Sequence, residues 1–419
     1  MSLVVKGARL LSGKKADILI ENGKISKIAS SAPFSGEKIN AEGKLALPGF
    51  VNAHTHAAMS LLRGAAEDME LSQWLGKIWK LEAKMSPSSI RAGAELACLE
   101  MIQSGTTCFS DMYFHMDEVA EAVKRSGMRA VLGYGMIDLG GEGKRKSELA
   151  CAESFVRNWH GKAEGRITCS IAPHSIYTCS AQLLQEAYLL AKKHSLPYHI
   201  HLSETRKEVF ECLQKHKVRP AFYLDRLGVL SSNTIAAHCV WLTKEEVRLL
   251  ASRKASACLN PISNMKLAGG SAAPMPEMEE FKMNISLGTD GPASGASFSM
   301  FDAMRTLALL QKNARWNATV AKDISVFKAA TFGGAKALSI PSGNIEKGAN
   351  ADIILLDLRS ANLSPAHSLV ANIVYSAHAG NVCDAIIDGN IIMQDRQVLT
   401  MDADKVIERA RCEAEKILS

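Results

Sequence analysis

The chain reads as an α/β protein: a TIM (β/α)8 barrel carrying a small composite β-sandwich domain formed by both termini. Three observations predict this. Short apolar strands alternate with amphipathic helices through the middle of the chain, the strands number eight, and both ends share a turn-rich texture of short alternating strands. The expected division is 1–48 and 346–419 for the two parts of the β domain, with 49–345 as the barrel.

The N-terminal part runs SLVVKGARLL, ADILIENG, KISKIA and KLALPG, punctuated by Ser12-Gly13, Asn22-Gly23 and Glu42-Gly43. Asn22-Gly23 marks a hairpin, because both residues tolerate positive φ. At the far end ADIILLDL (351–358) and CDAIIDGNIIMQDRQVL (383–399) flank a second such turn at Asp388-Gly389-Asn390, so the two ends are expected to pair. Between them lie LALPGFVNAH, GTTCFSDMY, RAVLGYGMID, ITCSIAPHS, LPYHIHLSE, TIAAHCVWL, ASACLNP and NISLGTDG as barrel strands. Helices are predicted over Met116 to Ser126, Ala181 to His194, Lys244 to Arg253 and Met300 to Arg315. Eight such βα units need about 250 residues, which the middle of the chain supplies.

Composition excludes several classes of function. The apolar share of 47% and charged share of 22% are those of a globular protein, and 49 basic against 43 acidic residues leave only +6. That charge is scattered, so no nucleic-acid partner is expected. Lys144-Arg145-Lys146, beside Gly140, Gly141 and Gly143, reads as a solvated loop. No apolar stretch is long enough for a membrane span and no secretory signal opens the chain. Ten cysteines stand singly without a CxxC pair, which points to reduced thiols and a cytoplasmic enzyme. Cys239, next to His238, reads as a small core residue rather than a nucleophile.

Barrel enzymes build their sites at the C-terminal ends of strands, so the residues there are decisive. The first strand ends in His54 and His56, whose side chains share one face because strand residues alternate. The fourth ends in His174, the fifth in His201, the sixth in His238 and the eighth in Asp290. All are groups that bind a metal or move protons beside one. His115, His160, His194 and His216 fall in helices or connections, and His367 and His378 lie in the C-terminal segment. His199 shares the face of His201, and strand geometry alone does not choose between them.

Together the stretches PGFVNAHTHAAMSLLRG, WLGKIWKLEAKM, SGTTCFSDMY, APHSIYTCS, HIHLSET, AAHCVW, NPISNMKLAGG and LGTDGPAS resemble the amidohydrolase superfamily. Within it they resemble the deaminases of 5'-methylthioadenosine and S-adenosylhomocysteine, 5'-deoxyadenosine deaminase included. The resemblance implies one divalent ion per subunit, zinc first and ferrous iron as the alternative, held by His54, His56, His201 and Asp290. His201 is favoured over His199 because it stands three residues before Glu204. A single metal is implied, since no lysine or bridging glutamate ends the fourth strand. Glu204 resembles the proton shuttle at N1 of the purine, while His238 and Asp290 orient and deprotonate water. Glu82 resembles the carboxylate that accepts the ribose 2' and 3' hydroxyls, and His174, Glu204 and Asp290 are further substrate contacts. The same resemblance implies a dimer or tetramer of identical chains.

Trp74, Trp79 and Met85 are placed at the 5' end of the substrate, and Asn260 to Gly270 is a loop able to close over it. One departure concerns the 5' tail. Relatives acting on S-adenosylhomocysteine carry an arginine late in the third strand, where this chain has Tyr134, with Lys144, Arg145 or Lys146 as substitutes nearby. The favoured substrates are 5'-deoxyadenosine, 5'-methylthioadenosine and S-adenosylhomocysteine as a set, with adenosine as a further candidate. The rivals are a guanine or cytosine deaminase or a triazine chlorohydrolase, which share the histidines, and a barrel without catalysis. Glu82 argues against the first group, since a free base offers no ribose, and the complete ligand set argues against the last.

Overall fold

The computed structural model describes residues 2–32, 34 and 36–418, with backbone only at residues 71 and 72. Five strands open the chain: β1 (Ser2–Arg9), β2 (Lys15–Glu21), β3 (Lys24–Ala29), β4 (Glu37–Asn40) and β5 (Lys44–Pro48). Eight barrel strands follow, namely β6 (Phe50–Thr55), β7 (Thr106–Tyr113), β8 (Arg129–Met136), β9 (Ile167–Pro173), β10 (Tyr198–Leu202), β11 (Thr234–His238), β12 (Ser256–Leu259) and β13 (Asn284–Leu287). The last four are β14 (Ile353–Asp357), β15 (Val382–Ile387), β16 (Asn390–Gln394) and β17 (Gln397–Val398).

The eight middle strands form one parallel sheet in sequence order from β6 to β13, and all but the half-buried β13 are buried over most of their length. Such burial on both faces explains why these strands read as apolar runs rather than strict alternations. Helices observed at Met116–Ser126, Ala181–His194, Lys244–Ser252 and Met300–Ala314 agree with the predicted spans to within one residue. No helix among the described residues is long and apolar enough to cross a membrane.

The terminal strands form a nine-stranded sheet that joins the two ends of the chain through the antiparallel pair β5 and β14. It branches at β1, which pairs with β2, β4 and β5, and the apolar faces of both termini meet in one core that includes Leu3, Ile18, Ile39, Ile353 and Ile386. Both hairpin turns adopt positive φ, at Asn22 and Gly23 and again at Asp388 and Gly389.

One strand expected to be continuous is broken. The run LALPGFVNAH divides at Gly49 into β5, which belongs to the terminal sheet, and β6, which belongs to the barrel. A Cβ at Gly49 would stand 2.1 Å from the Thr107 hydroxyl, so only glycine lets the chain pass from one sheet to the other there.

The two sheets are locked by a buried ionic group. Arg129 on β8 donates from Nε to Asp352 Oδ2 at 2.8 Å and from Nη2 to Asp388 Oδ1 at 2.9 Å. Asp352 also accepts the Ser342 hydroxyl and the Asp388 amide, so both its oxygens are satisfied.

The barrel seam is closed differently. β6 and β13 share no ladder of hydrogen bonds. Instead Asn52 exchanges two bonds with Thr289, at 2.7 and 3.0 Å, and the Asp290 amide donates to the His54 carbonyl at 3.1 Å.

Candidate active site

Several strand ends turn inward through left-handed residues that are not glycine. Ser203 (φ 50), His238 (φ 72) and Asp290 (φ 62) each follow or end a barrel strand. Such conformations cost of order 1–3 kcal/mol and persist where the surroundings over-determine them. The strand ends converge as predicted on the stretch opened by His54 and His56.

Each imidazole of the cluster is oriented by a bond from its outer nitrogen. His56 Nδ1 donates to the Met112 carbonyl and His201 Nδ1 to the His174 carbonyl, both at 2.7 Å. His54 Nδ1 lies 3.1 Å from His199 Nε2, and His199 Nδ1 in turn 3.3 Å from the Ser110 hydroxyl. His199 therefore backs His54 rather than joining the cluster, which separates it from His201. Burial, with the neighbouring imidazoles, holds His54 and His201 well below the usual histidine range and His199 at about 3. These rings are neutral at pH 7 and present lone pairs.

Asp290 divides its oxygens between two jobs. Oδ2 accepts the Ser263 and Ser294 hydroxyls at 2.6 and 2.8 Å, while Oδ1 stands 3.2 Å from His56 Nε2 and 3.7 Å from His54 Nε2. Burial alone would raise this carboxyl, but the imidazoles and the two hydroxyls together bring it below its ordinary range. His238 is held by Asn264, whose Nδ2 lies 3.0 Å from His238 Nδ1, and Glu204 Oε1 lies 3.7 Å from the same nitrogen. Burial raises the Glu204 carboxyl.

A divalent ion fits this donor set. His54 Nε2 is buried with no hydrogen-bond partner. The coordinating atoms of His54, His56 and Asp290 lie within 4.8 Å of one another, as do those of His54, His201 and His238. Neutral imidazoles with a carboxylate are a donor set suited to zinc. The two groups share His54, and His238 belongs to the one that contains His201.

The cluster forms the floor of a cavity of about 530 Å³. Its wall includes Glu82 and His174, which the sequence placed at the substrate, and Trp74 and Trp79 from the helix Leu71–Glu82. His174 Nδ1 is held by the Ser175 and Thr178 hydroxyls, and burial brings the ring down to about 4. Met85 lies behind the wall, 3.7 Å from the Tyr113 hydroxyl.

Three expectations are corrected. Tyr134 does not line the cavity: β8 alternates, so Gly135 and Ile137 face inward while Tyr134 turns outward towards Glu148 and Cys151. Lys144-Arg145-Lys146 is not a loop but the first turns of the helix Glu142–Trp159, and Arg145 is engaged by Gln182 and Glu186. Asn260 to Gly270 is not all loop, since Pro261–Lys266 is a short helix. That helix contributes Ser263 and Asn264, and Leu267 reaches the cavity.

Sequence reasoning missed Ser263, Asn264, Ser294, Tyr113 and Glu208. Glu208 is buried, and its two oxygens accept the amides of Ser203 and Glu204, each at 2.9 Å. The signal available was position: Glu208 sits four residues after Glu204, in the first turn of the helix Arg206–His216, and Asn264 lies in the stretch that follows the seventh strand.

Residues 45–392 match the amidohydrolase family. The chain belongs to that family. This amidohydrolase is 44% identical over 405 residues to a 5'-deoxyadenosine deaminase of Methanocaldococcus jannaschii, covering 96% of each chain. It is 41% identical to a 5-methylthioadenosine/S-adenosylhomocysteine deaminase of Desulforamulus reducens, covering 99% of each. Among solved structures it is similar to an adenosine deaminase from Xanthomonas campestris with bound zinc, at 31% identity and a TM-score of 0.94, covering 99% of this chain and 98% of that one.

Proposed function

We propose that this amidohydrolase hydrolytically deaminates 5'-modified adenosines at C6, releasing ammonia and the inosine analogue. The observation that carries the reading is that one cavity holds both the histidine and aspartate cluster and, in its wall, the carboxylate of Glu82, which we assign to the ribose diol. His54, His56, His201 and Asp290 would hold one divalent ion, zinc in the first instance. When bound there it would make a nucleophile available at neutral pH, by lowering the pKa of water from ~15.7 to roughly 7.

The protein's own groups do the rest. Glu204, raised by burial, keeps the proton that N1 of the purine takes as the ring is attacked. His238 and the inner oxygen of Asp290 orient the attacking water and receive its proton. Glu82 and His174 fix the nucleoside, so that C6 is presented to the cluster.

The rim argues for an uncharged 5' tail. Among the described lining residues Lys207 is the one lysine or arginine, and it lies 3.8 Å from Glu211 with Glu70 also on the wall. The apolar Trp74, Ile78 and Ile137 suit a methyl or methylthio group. We therefore rank 5'-deoxyadenosine and 5'-methylthioadenosine above S-adenosylhomocysteine, in a homo-oligomeric cytoplasmic enzyme. The test is ammonia release by metal-reconstituted enzyme on these three, adenosine, guanine and cytosine. Higher kcat/KM for the neutral-tailed nucleosides is expected; preference for a free base would overturn the assignment.

A further inference from the structure

The last residues of β7 serve both ends of the cavity. Met112 holds His56 through its carbonyl, and the next residue, Tyr113, donates its hydroxyl to Glu82 Oε1 at 2.5 Å. Tyr113 is 6% exposed, and its ring is stacked on Phe114 with centroids 4.2 Å apart. The phenol is therefore fixed by the barrel. Glu82, by contrast, is the last residue of the helix Leu71–Glu82, a position where backbone order fades and a long side chain has several rotamers. Without a partner its carboxylate would sample the cavity rather than face one spot in it.

We propose that Tyr113 is a positioning residue that aims Glu82 at the ribose, and that this pair sets the enzyme's demand for a 2',3'-diol. The inference rests on the reading of Glu82 given above. A phenol has one hydrogen to donate, and Glu82 takes it on Oε1. Oε2 and the second lone pair of Oε1 then remain for two sugar hydroxyls. Because Tyr113 and Met112 are neighbours on one strand, the distance between the sugar acceptor and His56 is set by rigid β structure rather than by the helix end. A nucleoside lacking the diol gains nothing from that arrangement.

The test compares wild type, Tyr113→Phe and Glu82→Gln on 5'-deoxyadenosine and on its analogue lacking the 2' and 3' hydroxyls. Loss of one hydrogen bond to a charged acceptor is worth roughly tenfold. Tyr113→Phe should raise KM for the diol substrate by about that factor, with kcat within about twofold and the analogue's constants unchanged. Metal content should match wild type. An equal loss on both substrates, or an unchanged preference for the diol, would overturn the proposal for Tyr113. If Glu82→Gln keeps the diol preference, the ribose reading of Glu82 fails, and the inference with it. If Glu82→Gln loses that preference while Tyr113→Phe keeps it, only the role of Tyr113 fails.

Discussion

The Nδ1 of His54 lies 3.1 Å from the Nε2 of His199, so a ring outside the cluster decides which nitrogen of His54 faces into it. Outer partners of this kind are typically worth 10- to 100-fold in metal affinity, about 1.4–2.7 kcal/mol. His199→Phe, which keeps an aromatic ring but no acceptor, should weaken metal binding by roughly that factor. Competition with a chelator measures it. An unchanged dissociation constant would show that the pair is packing alone.

Glu204 faces His238 but belongs to neither group of converging ligand atoms. Glu204→Gln should therefore retain metal while kcat falls by about 10²–10⁴, the usual worth of a positioned general acid. Parallel metal analysis and single-turnover assays separate the two effects. Near-normal turnover in this variant would remove Glu204 from the mechanism.

Glu208 carries a pH dependence of its own. Burial raises its carboxyl to about 8 from an ordinary 4.5. The folded state therefore keeps a proton that the unfolded chain loses near 4.5. That contribution to stability is full below about 4.5 and drains away as pH rises to about 8. Glu208→Gln cannot titrate, so its Tm measured relative to wild type should climb across this window, on top of a fixed offset from the altered bonds to Ser203 and Glu204. A gap that stays constant with pH would contradict the assignment.

The Arg129 lock between the sheets predicts a cost in stability. Asp352 is almost wholly buried and accepts two nitrogens of Arg129, at 2.8 and 3.3 Å. Arg129→Met leaves that charge unpaired, a change typically worth 3–5 kcal/mol. Urea unfolding should register the loss, and adding Asp352→Leu should recover part of it. Additive losses in the double variant would argue against direct coupling.

Periodicity carried much of the architecture, because a two-residue repeat with buried faces and a 3.6-residue repeat with one apolar face look different in any chain. The same repeat placed His54 and His56 on one face. It also bears on Tyr134, since Gly135 and Ile137, which line the cavity, have the opposite parity. What stayed hidden depends on contacts between distant segments. Nothing local marks Ser263 as a partner of Asp290, or Tyr113 as a partner of Glu82, because these bonds exist only once the strand ends have been brought together. The break at Gly49 was hidden for a similar reason: the residue that forbids a side chain there is Thr107, more than fifty positions away.

The seam between β6 and β13 has a consequence for handling the protein. His54 and Asp290 stand on its two sides, joined by one backbone bond and the Asn52 and Thr289 pair. An ion shared by these two residues would clasp the first strand to the last, so chelation would unlace the barrel where it is least stitched. Occupancy and folding then rise and fall together by mass action. Amide exchange at Thr289 and Asp290 would quicken on stripping, well before the locked β8 side yields. A preparation low in metal would consequently be short of closed barrels as well as of the ion that supplies the nucleophile, and its weak activity would record both deficits.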